Sequence, residues 1–119
     1  MGTDAAGIVS SYFDAWRAHD SGALRRLLAD EATFTGPLGQ SANADEYRDA
    51  IGRMFAITSD IVIQKMLADE QDVLTWFELH TSIAPPAPVA NWSRIENGKM
   101  VQVRAKFDPR AIIAARERS

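Results

Sequence analysis

A chain of 119 residues, 46% hydrophobic and 24% charged, has the composition of an ordinary globular protein with room for one core. A net charge of −3 without a basic cluster argues against a nucleic-acid partner, and the absence of cysteine removes disulfide and thiolate chemistry. Two histidines far apart in sequence make no metal site, and with neither a basic apolar leader nor an apolar run of membrane length the expectation is a cytoplasmic protein without a membrane partner.

The first predicted element is a helix over residues 4–18, where Ile8, Tyr12 and Trp16 recur every four positions with Val9 and Phe13 beside them. Asp20 or Ser21 caps a second helix to residue 30, buried through Leu24, Leu27 and Leu28. A short strand over 32–35 ends at Gly36-Pro37, and Gly39 closes the turn. Asn43 and Glu46 form an asparagine version of the capping box for a third helix to residue 57, with Tyr47, Ile51, Met54 and Phe55 inside. Residues 61–67 and 73–83 read as strands, the second with Val73, Thr75, Phe77, Leu79 and Thr81 inward and Trp76, Glu78 and His80 outward. Pro85, Pro86 and Pro88 make a stiff connection.

The last stretch, VANWSRIENGKMVQVRAKFD, reads as a hairpin turning at Asn97-Gly98. Counting outward from a two-residue loop sets Arg94 opposite Val101, Trp92 opposite Val103 and Ala90 opposite Ala105. That register puts Ala90, Trp92 and Arg94 on the apolar inner face with Val101, Val103, Ala105 and Phe107, and Asn91, Ser93, Gln102 and Arg104 on the outer one. Asp108 caps a closing helix that has Pro109 at its first position and runs to residue 117. Helices segregated from a mostly antiparallel meander give an α+β class and a single domain over residues 1–119.

This order, with SYFDAWRAHDSGALRRLLADEATFTGPLG and the closing RIENGKMVQVRAKFDP, resembles the nuclear transport factor 2-like superfamily, in its SnoaL-like and ketosteroid isomerase-like branches. The resemblance implies a cone-shaped α+β barrel, a curved sheet wrapped around the long N-terminal helix, with an apolar cavity and frequent dimers. In the isomerase branch it implies a tyrosine that polarises the substrate oxygen, matched by Tyr12. The branch's general base falls on Gly36 and its second oxyanion donor on Ala90, so the usual steroid isomerisation is not expected. The cyclase branch implies an acid/base aspartate late in the last strand, matched by Asp108; its histidine has no match, since His80 counts to the outer face. Epoxide-opening relatives imply an Asp-Arg-Asp set, for which Arg94 supplies the arginine and no pair of aspartates is found.

Two readings follow. In the first the chain is an acid–base enzyme of isomerase, cyclase or epoxide-opening type on a polyketide-, terpenoid- or steroid-like molecule, with Tyr12 and Asp108 catalytic. Trp16, Phe34, Phe55, Phe77, Trp92, Arg94, Val103 and Phe107 would then line the substrate's place. In the second the cavity binds a small apolar molecule without chemistry, or the fold serves dimerisation. Neither reading calls for a cofactor or a metal. Trp76 on the outer sheet face suggests a homodimer through that face.

Overall fold

The computed structural model describes residues 4–118; residues 1–3 and 119, which the reading of one domain over 1–119 also includes, lie outside the described residues. Four helices and one six-stranded sheet follow in the order α1 (Ala5–Arg17), α2 (Ser21–Arg26), β1 (Leu28–Gly36), β2 (Gly39–Ser41), α3 (Ala44–Phe55), β3 (Thr58–Asp69), β4 (Asp72–Thr81), β5 (Ala87–Glu96), β6 (Lys99–Lys106) and α4 (Arg110–Arg118). The strands lie in the order β2-β1-β6-β5-β4-β3. All pairs are antiparallel except β1 with β6. The class is α+β, and the curved sheet closes over α1 and α3 as a cone.

Each helix begins where a short polar side chain can satisfy a free backbone N–H. Asp4 accepts from Gly7 at 2.6 Å, Asp20 from Ala23 at 3.0 Å and Asn43 from Glu46 at 3.0 Å. Glu46 reaches back to the Ala42 N–H at 2.9 Å. The broad stripe of α1 buries Ile8, Val9, Tyr12, Phe13, Ala15 and Trp16. Phe13 stands edge-on to Phe77 of β4 at 4.9 Å between ring centroids and stacks on Trp16 at 6.3 Å. Trp16 ties α1 to the start of β3 through Thr58 Oγ1, 3.0 Å from its indole nitrogen. Val73, Thr75, Phe77 and Leu79 make the buried row of β4.

Three local expectations are corrected. The second helix stops at Arg26 rather than residue 30, because Leu28 is drawn into the sheet opposite Met100 while the Met100 N–H donates to the Leu27 carbonyl. Residues 39–41 form a strand of their own against β1. The third correction is the hairpin register. The turn at Asn97-Gly98 does set Glu96 opposite Lys99, but Val101 is then bulged out. Beyond the bulge Arg94 pairs with Gln102, Ser93 with Val103, Asn91 with Ala105 and Ala90 with Lys106. One extra residue on one strand moves the whole partner row to the other face. Asn91 and Ser93 therefore point into the cone and are buried, whereas Ala90, Trp92 and Arg94 point outward. Further register shifts at residues 28–33, 58–60 and 63–65 accompany the curvature of the sheet.

Candidate functional site

The cone holds a cavity of about 390 Å³ between the inner sheet face, α1 and α3. Its inner wall is built by Tyr12 and Trp16 of α1, Tyr47 and Ile51 of α3, Phe77 and Leu79 of β4, Val89 and Asn91 of β5, and Ala105 of β6. Phe34, Phe107 and the turn over residues 36–41 also line it, and its charged lining residues are Glu46, Asp49, Arg53 and Arg116. The two alanines expected to face each other across the last hairpin do not: Ala105 lines the cavity and faces Asn91, while Ala90 is on the outside.

At the buried end stand two phenols. Tyr12 and Tyr47 are each 1% exposed, and their hydroxyl oxygens lie 2.6 Å apart. Burial raises the pKa of both, since a phenolate would lack solvation there. The bond between them then lowers that of Tyr12 and raises that of Tyr47. Either hydroxyl can donate in this bond, and the one that accepts keeps its O–H for a group in the cavity. Tyr47 was legible as an inner residue of α3; its partnership with Tyr12 depends on two helices that only tertiary packing brings together.

Asn91 is the second polar group of the inner wall. Its Oδ1, like Thr75 Oγ1 across the strand and Ser93 Oγ farther along β5, is buried without a hydrogen-bond partner among the described residues. The register inferred from the turn alone concealed it.

Of the residues expected to line the site, Tyr12, Trp16, Phe34, Phe77 and Phe107 do so. Phe55 is buried away from the cavity and stacks on His19 at 5.5 Å, and Val103 is buried in the core. Trp92 is 42% exposed on the outer face, where its indole N–H donates to Asp72 at 2.9 Å and the Arg104 guanidinium covers its ring at 4.3 Å. Arg94 stays on that face, bound to Asp72 at 3.0 Å, to Gln71 at 3.0 Å and to Glu96 at 3.3 Å. An arginine with three surface partners is not available to a water in the cone.

Asp108 is placed outside the cavity lining. Its carboxylate accepts from the Arg110 backbone N–H at 3.0 Å and pairs with the Arg110 guanidinium at 2.6 Å. That guanidinium, together with the backbone bond, holds the carboxyl at about 2. In this structure the Asp108 carboxylate caps its own helix and lies outside the cavity lining. Gly36, where the isomerase branch has its base, is hemmed in as well. A Cβ there would stand 2.8 Å from the tip of the Phe34 ring. The aromatic wall occupies the space a side chain would need.

Among the described residues no group of three His, Cys, Asp or Glu side chains could hold a metal, and no helix is long and apolar enough to cross a membrane.

The family model described as a SnoaL-like domain matches residues 9–103. No curated protein sequence matches the chain. Solved structures share its fold over nearly the whole length. A protein from Kribbella flavida is 24% identical with a TM-score of 0.90, over 98% of this chain and 97% of that one. A steroid delta-isomerase from Pseudomonas aeruginosa is 19% identical with a TM-score of 0.80, over 99% and 92%. An LEH-like epoxide hydrolase from M. tuberculosis is 17% identical with a TM-score of 0.75, over 93% and 87%. At such identities these likenesses establish fold alone.

Proposed function

The chain belongs to the SnoaL-like domain family, and on that premise we propose that it binds a small apolar molecule bearing an oxygen, without acid–base turnover. The observation that carries this reading is the pair of buried tyrosine hydroxyls at the inner end of an aromatic cavity. A polar donor fixed in apolar surroundings orients a ligand oxygen, and the surrounding rings supply contact area. Asn91 stands on the opposite wall and offers its amide to the same oxygen or to a second one. The enzyme reading needs a proton acceptor inside the cone. Glu46 and Asp49 are the carboxylates of the cavity lining, and both already hold other partners, the Ala42 N–H and Arg48.

The test is binding of 2-naphthol, followed by fluorescence or calorimetry. Tyr12→Phe is expected to weaken it by about tenfold, the size of one buried hydrogen bond, with the far-ultraviolet spectrum unchanged. Equal affinity in the two proteins would remove the oxygen-recognition role. Turnover of any substrate that Tyr12→Phe abolishes in a folded chain would return the protein to the enzyme reading.

The outer sheet face supports a homodimer as a second element of the proposal. Leu74, Trp76 and Trp92 are 49%, 47% and 42% exposed there, with Leu67 at 57% beside them. An apolar patch of this kind on a sheet face is commonly covered by a partner. Light scattering should give a dimer mass for the chain and a monomer mass for Trp76→Glu. A monomer mass for the unaltered chain at high concentration would refute the interface.

A further inference from the structure

We infer that the ligand's polar group is a neutral hydroxyl, not a carbonyl or ether oxygen, and that Asn91 is the residue that selects it by accepting a hydrogen bond from the ligand through Oδ1. The inference rests on the cavity reading above and names the ligand's chemical class.

The charges come first. The charged lining residues Glu46, Asp49, Arg53 and Arg116 are all exposed and belong to α3 and α4. The sheet wall of the cavity, built by Phe77, Leu79, Val89, Asn91 and Ala105, carries no charge. An ionised ligand group against that wall would lose its hydration without a counter-charge, so the group that reaches it is neutral.

The donors and acceptors then decide between neutral oxygens. The two tyrosine hydroxyls share one hydrogen bond, so one O–H of the pair is left to donate. Any ligand oxygen satisfies that O–H. Asn91 asks for more. Its side chain is 4% exposed and lines the cavity, yet its Oδ1 has no hydrogen-bond partner among the described residues. Thr75 stands directly across the β4–β5 ladder, on the same face, and its hydroxyl is likewise buried and unpartnered. The two groups are complementary neighbours that do not answer each other. A buried acceptor left open costs more than the bond it forgoes, and a ligand that brings a donor recovers that cost. A hydroxyl both accepts and donates, whereas a ketone or ether oxygen only accepts. A site built around an unanswered acceptor therefore favours the alcohol.

Two achiral, near-isosteric probes test this: 2-indanol and 2-indanone, titrated calorimetrically into the full chain. The alcohol is expected to bind about tenfold tighter than the ketone. In Asn91→Leu the alcohol-to-ketone affinity ratio should fall to about one. A ratio is read because the change of side-chain volume acts on both probes alike. Ser93→Ala serves as the control. Ser93 Oγ is also buried and unpartnered among the described residues, but Ser93 does not line the cavity, so the ratio should stay at its original value. Equal affinities in the unaltered chain would mean that Asn91 Oδ1 is answered within the fold, and would overturn the inference while leaving the cavity reading intact. A tighter ketone would put the amide N–H groups on the ligand and overturn it too, as would an alcohol preference that survives Asn91→Leu. Failure of both probes to bind overturns the inference together with the cavity reading.

Discussion

Phe13→Ala is expected to lower the stability of the fold by about 3–5 kcal/mol, more than any other single truncation in α1. Phe13 is fully buried and meets three rings: Tyr12 edge-on at 5.2 Å, Trp16 stacked at 6.3 Å and Phe77 edge-on at 4.9 Å. Removing it forfeits the transfer of a large apolar side chain and leaves a void that neighbours fixed by their own partners cannot fill. Trp16 is held by Thr58, and Thr58 by the Met54 carbonyl at 2.7 Å, so neither closes the gap cheaply. In a domain of this size the loss corresponds to a fall of roughly 10–20 °C in the unfolding midpoint. Calorimetry measures it directly. Ile113→Ala, at a position 40% exposed on α4, serves as the control and should cost less than about 1 kcal/mol. Similar losses at the two positions would mean that the α1–β4 contact is not the centre of the core.

The same contact shows what sequence periodicity can carry. Ile8, Val9, Tyr12, Phe13 and Trp16 recur on one face because a helix repeats every 3.6 residues, and Val73, Thr75, Phe77 and Leu79 alternate because a strand repeats every two. Those patterns depend only on each element's own geometry, so the inner rows of α1 and β4 were readable in advance. So was the cap at Asp108, which needs nothing beyond the residues that follow it. The register of β5 against β6 was not. The turn at Asn97-Gly98 starts the pairing as the sequence indicates, but the bulge at Val101 belongs to the curvature of the whole sheet, in which β6 must also pair in parallel with β1. No local signal announces it. Its consequence is large for the site: it turns Trp92 and Arg94 out to Asp72 and brings Asn91 in. The Tyr12–Tyr47 bond escaped for a related reason, since it joins residues on two helices with no local relation.

Asn91→Leu is expected to raise stability and weaken ligand binding in one step. The side chain is 4% exposed and its Oδ1 has no partner among the described residues, so the fold bears a desolvation cost there that leucine, with the same branching at Cγ and room to extend into the cavity, does not. The expected gain is about 1–3 kcal/mol, the usual penalty for an unsatisfied buried polar group. Binding of 2-naphthol should weaken by about threefold to tenfold at the same time, because the inner wall loses a polar group opposite Tyr12. Ser93→Ala provides the contrast. Its hydroxyl is also buried and unpartnered, but Ser93 does not line the cavity, so stability should rise without the loss of affinity. The two variants together separate a polar group kept for a ligand from one that is merely tolerated. If Asn91→Leu were destabilising and left binding unchanged, Asn91 would be a structural residue whose amide supports the strand. The oxygen would then be recognised from the tyrosine side alone. A stabilised, poorly binding Asn91→Leu beside a stabilised, normally binding Ser93→Ala would place the fold's sacrifice of stability at the ligand, where a buried polar group on an otherwise apolar wall has its use.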